Sequence, residues 1–225
     1  MVEKRRYNTA LRAEQARLTR AKILDTAAAL FVEQGYPGTT LAQVAAATGV
    51  SVQTVYNLVG GKPDVLKAAY DVVLAGDDEP VPIQQRPTAR ASMAATDPRT
   101  SLMLYAKLGR ELSERILPLV VVLMGQAATG DPDLVAFAEK IEGERAIGTR
   151  NVVAHIDHHF GLRPGLDVDT AADILWALTA PDVTDRLVQR RGWGWDRFEQ
   201  WLGETMADAL LGPAPAPTAT PATLG

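Results

Sequence analysis

The sequence predicts an all-α chain: a three-helix, helix-turn-helix head followed by a larger helical body. Three observations predict it. Apolar residues recur at spacings of three and four along most of the 225 residues, and no alternating run suited to a strand appears. Capping residues, glycines and prolines punctuate those runs at helix-sized intervals. Charge is divided as well: residues 1–67 hold nine Lys/Arg against five Asp/Glu, a balance of +4, while the whole chain stands at −4. A basic head on an acidic body is what a chain needs when only its head meets a polyanion.

The head is read first. Residues 1–12 read as a mobile basic arm, carrying Arg5, Arg6 and Arg12. A first helix is expected from about Ala13 to Gln34, with Ile23, Leu24, Ala27, Leu30 and Phe31 on one face and Gly35 to end it. Thr40 and Gln43 form a capping-box pattern for a second helix that stops near Thr48-Gly49. Ser51 then caps a short third helix in the stretch SVQTVYNLVGGKPDVL, and Lys62-Pro63-Asp64 opens a fourth with proline in its first turn. The head is bounded at 13–60 and the body at 61–211.

The body is less punctuated. Residues 76–98 turn to Asp, Pro, Gln and Thr and read as a loop or crossover. A long helix follows from about Arg99 to Leu117, with a Glu111–Arg115 ion pair on its wet side and a kink or restart at Pro118. Asp131-Pro132 starts a helix to about Ile147, and another covers Thr149 to Phe160. Asp169 and Asp196 are expected to cap the last two helices, and 212–225 reads as a disordered tail.

The third helix is one or two turns long and has no evident core stripe. Val44, Val50 and Val55 suffice to pin the second and third helices onto the first, which leaves Val52, Gln53, Thr54 and Asn57 outward. Amides at such positions can bond adenine edges bidentately, and a threonine methyl can touch the thymine methyl. Tyr56 and Lys62, on either side of Gly60-Gly61, are placed to hold phosphates, as are Ser51 and the Thr39-Thr40 pair at a helix start.

The stretch GYPGTTLAQVAAATGVSVQTVYNLVGGKPDVL resembles the DNA-binding domain of the TetR family of transcriptional regulators. The likeness rests on the helix ILDTAAALFVEQGY, the Thr39-Thr40 pair, the core VAAATGVSVQTVY and Lys62, and covers about residues 19–70. Leu58-Val59 stand where the family usually has an aromatic. The resemblance implies a homodimer that sets two recognition helices in successive major grooves of a palindromic operator. It also implies a C-terminal domain whose small-molecule ligand controls DNA affinity, the expected action being repression. Ala171, Leu175, Leu178, Phe198, Leu202 and Ala209, on the last two helices, are the implied dimer interface. Met103, Tyr105, Met124 and Trp176 are the candidate lining of an effector pocket between the middle helices.

Other function classes find little support. There is no cysteine, which removes disulfides and thiolate chemistry and fits a reducing cytoplasm. The basic, polar N-terminus does not read as a secretory signal, and the longest apolar run, Ile116–Met124, is too short to span a bilayer. No nucleophile-elbow, P-loop, dinucleotide or zinc-protease motif occurs, so neither an enzyme nor a cofactor is expected. His155, His158 and His159 share a helix face with spacing open to a metal, but a solvated helix end is the expected reading. The rival function is a helical carrier or protein-interaction module, which leaves the basic head unexplained.

Overall fold

The computed structural model describes residues 2–213 except 78 and 80; the side chains of residues 2–10 lie outside that description. The described residues form ten α-helices with a short 3-10 turn at Ile83–Gln85 and a π-helical stretch at Asp185–Arg190. The head comprises α1 (Val2–Gly38), α2 (Leu41–Thr48) and α3 (Val52–Leu58), with α4 (Lys62–Ala75) packed along α1. The body is built from α5 (Pro87–Ala94), α6 (Pro98–Ala127), α7 (Pro132–Phe160), α8 (Val168–Leu178), α9 (Pro181–Thr184) and α10 (Trp195–Leu211).

Two apolar cores organise these helices, and α6 and α7 run through both. The first joins head to body: Ile23, Leu24, Phe31, Val44, Val55 and Val65 share it with Ile116, Leu123, Leu134 and Ile141. The second lies at the far end, where Leu102 and Ala106 of α6 and Val153 and Ile156 of α7 meet Leu175, Phe198, Leu202 and Met206. Burial of this kind contributes roughly 1.5–3 kcal/mol for each large apolar side chain. The head is therefore fastened to the body through one continuous core.

Several sequence expectations are corrected here. Residues 2–12 of the expected basic arm are helical, a direct extension of α1. Its Glu, Lys, Arg, Ala and Leu residues are good helix formers, which accounts for the helix there. The crossover at 76–98 holds the 3-10 turn and α5, each opened by a proline. Helix α6 continues through Pro118, because Leu117, Leu119 and Val120 beside it are buried and outweigh the lost backbone bond. Helix α7 likewise passes Gly148 unbroken, held by buried Thr149 and Val153.

Cap positions shift too. Asp167, not Asp169, caps α8 by accepting from the Thr170 N–H at 2.8 Å, and Gly194 rather than Asp196 precedes α10. Glu111 and Arg115 do not pair among the described residues. Glu111 accepts from the Thr88 hydroxyl at 3.1 Å, and Arg115 donates to the Leu74 carbonyl at 3.1 Å. Of the tail expected at 212–225, residues 214–225 lie outside the described residues. No helix among the described residues is long and apolar enough to cross a membrane.

Candidate nucleic-acid interface

The interface is assembled from short-range bonds. The Thr40 side chain accepts from the Gln43 N–H at 3.2 Å while the Gln43 side-chain oxygen accepts from the Thr40 N–H at 2.7 Å, closing the capping box of α2. Gly49 takes φ 77°, which turns the chain and lets the Val50 N–H donate to the Ala45 carbonyl at 3.0 Å. Lys22, reaching from α1, donates to the Thr48 carbonyl at 2.8 Å and fastens the end of α2 to the first helix. Ser51 then starts α3, accepting from the Thr54 N–H at 3.0 Å with the two hydroxyls 2.8 Å apart.

With Val44 and Val55 fully buried, α3 has one remaining direction for its polar side chains. Gln53 and Asn57 are exposed one turn apart, and the Gln53 amide donates to the Asn57 side-chain oxygen at 2.9 Å. Val52 is 39 % exposed and Tyr56 52 %, so Tyr56 is not a core tyrosine. Thr54 is half-buried, and Ser51 and Thr40 are exposed. The face thus presents an amide pair, a phenol and hydroxyls without a covering element among the described residues.

One expected contact sits elsewhere than the sequence suggested. Thr39 is 1 % exposed, and its hydroxyl donates to the Leu30 and Gly35 carbonyls at 3.1 and 2.9 Å, so it has nothing to offer a phosphate. It ties down the turn after α1 instead. Lys62 lies at the seam between head and body, with its ammonium 4.0 Å from the centre of the Tyr36 ring. Burial lowers the Lys62 pKa, and the nearby carboxylates of Asp131 and Asp133 oppose that shift. Arg5 and Arg6 lie on the helical extension of α1, their side chains outside the description, and Arg12 is exposed on it.

Sequence reasoning missed the clasp beneath Lys62. Tyr36 is 1 % exposed. Its N–H donates to the Gln126 side-chain oxygen at 2.9 Å, and its hydroxyl donates to Asp133 at 2.7 Å. Burial, followed by that carboxylate bond, pushes the Tyr36 pKa up. Gly35 has φ 74°, and a Cβ there would come within 2.1 Å of the Gln126 amide nitrogen. The break at the end of α1 is thus shaped to admit a side chain from α6. Only the Gly35 signal is present in the sequence; partners about ninety residues away leave no local trace.

The body holds a cavity of about 350 Å³ between α4, α5, α6 and α7. Of the expected lining, Tyr105 belongs to it. Met103 packs against Gly203 of α10, Met124 joins the head-side core, and Trp176 lies under the Arg145 guanidinium at 5.5 Å on α8. These three do not line this cavity. Tyr70 of α4 and Ser92 of α5 are, and nothing in their sequence surroundings singles them out.

The expected dimer residues face inward. Ala171, Leu175, Phe198 and Leu202 are at most 1 % exposed, and Leu178 and Ala209 pack on the same core. The stripe that looks like an intermolecular seam is this chain's own interior. The three histidines lie ring against ring, His155 and His159 tilted with centres 4.2 Å apart and His158 edge-on to His159, and no cluster of His, Asp or Glu suited to a metal occurs among the described residues.

A family signature described as "Bacterial regulatory proteins, tetR family" matches residues 23–69, which covers the end of α1 through α4. The uncharacterized HTH-type transcriptional regulator TtgW of Pseudomonas putida is 40% identical over 75 residues, 33% of this chain. That match spans 53%, about half, of the relative's length. Among solved structures, a SmeT–triclosan complex superposes with a TM-score of 0.66 at 20% identity, covering 89% of this chain and 99% of the other. NalD, the secondary repressor of the MexAB-OprM multidrug efflux pump in Pseudomonas aeruginosa, gives 0.63 at 23% identity, over 87% and 98%. The fatty acid degradation regulator FadR of Bacillus halodurans gives 0.65 at 14%, over 84% and 94%. These structural likenesses extend the shared fold over head and body. The N-terminal helix-turn-helix domain is that of the tetR family of bacterial regulatory proteins.

Proposed function

We propose that this chain is a ligand-responsive transcriptional regulator, acting as a repressor, that binds a palindromic operator as a homodimer. The observation that carries the reading is the outward face of α3, where Val52, Gln53, Thr54 and Asn57 surround an otherwise unemployed amide pair. These four read base edges in the major groove. Thr40, Ser51, Tyr56 and Lys62 hold backbone phosphates, and the extended α1 brings Arg5, Arg6 and Arg12 toward the flanking backbone. Lys62 does this from the head–body seam, so its charge serves both the DNA and the clasp. Pairing of two copies through α8 and α10 uses the faces left over after the inner core is filled, where Trp176 stands 37 % exposed.

Control runs along α4. One end carries Lys62 against Tyr36, and the other carries Tyr70 and Leu74 into the cavity wall. A small molecule in the cavity favours one position of α4 and hence one separation of the two heads. NalD's description as a repressor and SmeT's complex with triclosan support repression and a small-molecule effector respectively.

The test is selection of bound sequences from random duplex DNA by the purified protein. The expected product is a palindrome whose half-sites lie about 34–36 Å apart, bound with an affinity that falls by orders of magnitude from low to moderate salt. An unenriched pool and salt-independent binding would leave the carrier reading in its place.

A further inference from the structure

The cavity's wall is mostly apolar: Leu74, Leu108, Leu112, Ile116 and Ile141 face it from three helices. Its polar groups divide into those already bonded and those not. Ser92 donates to the Ser101 carbonyl at 2.9 Å, Thr149 to Ala146 at 3.1 Å and Thr179 to Leu175 at 2.8 Å. The charges are paired as well. Glu144 accepts from Lys67 at 3.2 Å, while Arg145 pairs with Glu142 and donates to the Trp176 carbonyl at 2.8 Å. No uncompensated charge is left for an ionic ligand, and a buried ion without a partner is strongly disfavoured.

Two phenols remain. Tyr70 is 4 % exposed and lines the cavity from α4, its ring edge-on to Phe137 at 5.3 Å. Tyr105 lines it from α6. Neither hydroxyl forms a hydrogen bond among the described residues, and neither is walled off from the space it lines. Desolvation raises both pKa values, that of Tyr105 to about 12, with the Arg145 charge opposing each shift. Both are therefore neutral at pH 7 and able to donate.

We propose that the cavity takes an uncharged, largely apolar molecule bearing a hydrogen-bond-accepting oxygen, held by the Tyr70 and Tyr105 hydroxyls. This assignment rests on reading the cavity as the effector site. A volume of about 350 Å³ suits a molecule of two fused or linked rings or a comparable aliphatic chain. Because Tyr70 sits on α4, the oxygen that satisfies it acts on the helix that carries Lys62.

The test uses four probes of one shape: biphenyl, 4-acetylbiphenyl, biphenyl-4-carboxylate and 4-(aminomethyl)biphenyl as its ammonium. Calorimetric titration of the full chain is expected to rank the ketone first, with the two ions at least about tenfold weaker. Tyr70→Phe and Tyr105→Phe should each weaken the ketone by about 3- to 10-fold and change biphenyl by less than about twofold. Gly148→Leu, at a cavity position where an added Cβ meets nothing within 4 Å, should block every probe while leaving the fold intact.

The proposal is overturned if either ion binds tightest, if both phenylalanine variants leave the ketone unaffected, if Gly148→Leu retains full affinity, or if no probe binds. Operator affinity is measured alongside, with and without saturating ketone. Tyrosine-dependent ketone binding that leaves DNA affinity unchanged would uphold this assignment and defeat the regulator reading instead.

Discussion

Head and body each keep polar side chains unemployed, but in opposite surroundings. On α3, Gln53, Asn57 and Tyr56 face water, where the remaining bonding capacity of an amide or phenol is solvated and costs almost nothing. In the body, Tyr70 and Tyr105 line a largely apolar cavity, where a hydroxyl has few polar neighbours of the protein's own. The first surface can wait for a charged polymer that brings its own attraction. The second encloses apolar surface and two phenols in a space sized for a small molecule. Between them the clasp of Tyr36, Gln126 and Asp133 makes the two regions one mechanical body.

That contrast can be broken at the clasp with the largest effect. Gly35→Val combines a left-handed φ with a clash against Gln126, and is expected to destabilise the chain by roughly 2–5 kcal/mol, measured by urea denaturation. Stability within about 0.5 kcal/mol of the parent, the range of an ordinary surface change, would mean that the break at Gly35 is not gripped by α6. Next come the outward amides. Gln53→Ala and Asn57→Ala should each relax preference at one or two base pairs by about 1–3 kcal/mol while leaving thermal stability unchanged. Uniform weakening on random DNA would return them to ordinary surface residues.

Tyr36→Phe sharpens the comparison by cutting only the bond to Asp133. It should cost about 1.5 kcal/mol of stability, as expected for a hydrogen bond to a charged acceptor, and reduce the response of operator binding to a cavity ligand. An unaltered ligand response would show that the coupling runs elsewhere. Thr40→Ala is the mildest change. Losing the capping box should cost about 1 kcal/mol, seen as a lowered melting temperature, with no change in which bases are preferred. A changed base preference would instead place Thr40 among the groups that read sequence.

The head is readable because its information is local. Thr40 with Gln43, Gly49, and Ser51 with Thr54 lie within a few residues of the partners that define them, so each cap and turn can be named from spacing alone. The body is not readable in the same way. Phe198 and Leu202 form a good apolar stripe, but a stripe records only that something covers it, and here the cover is the chain's own α6 and α8. Met103, Met124 and Trp176 fail as cavity residues for the same reason: size and apolarity do not say on which side of a helix empty space will lie. Helix α5, which the sequence shows only as part of a crossover, is a wall of that space.

By itself the sequence determined the helical class, the helix-turn-helix register and the outward placement of Gln53 and Asn57, since backbone caps and a 3.6-residue period act over a single turn. Only the tertiary structure decided that Thr39 turns inward, that Gln126 reaches Gly35, and that Tyr70 and Tyr105 share one cavity. The last two depend on contacts between residues tens of positions apart, and the first on how the turn after α1 closes. Their energies are settled by packing, in which many helices must fit at once and no short stretch carries the answer.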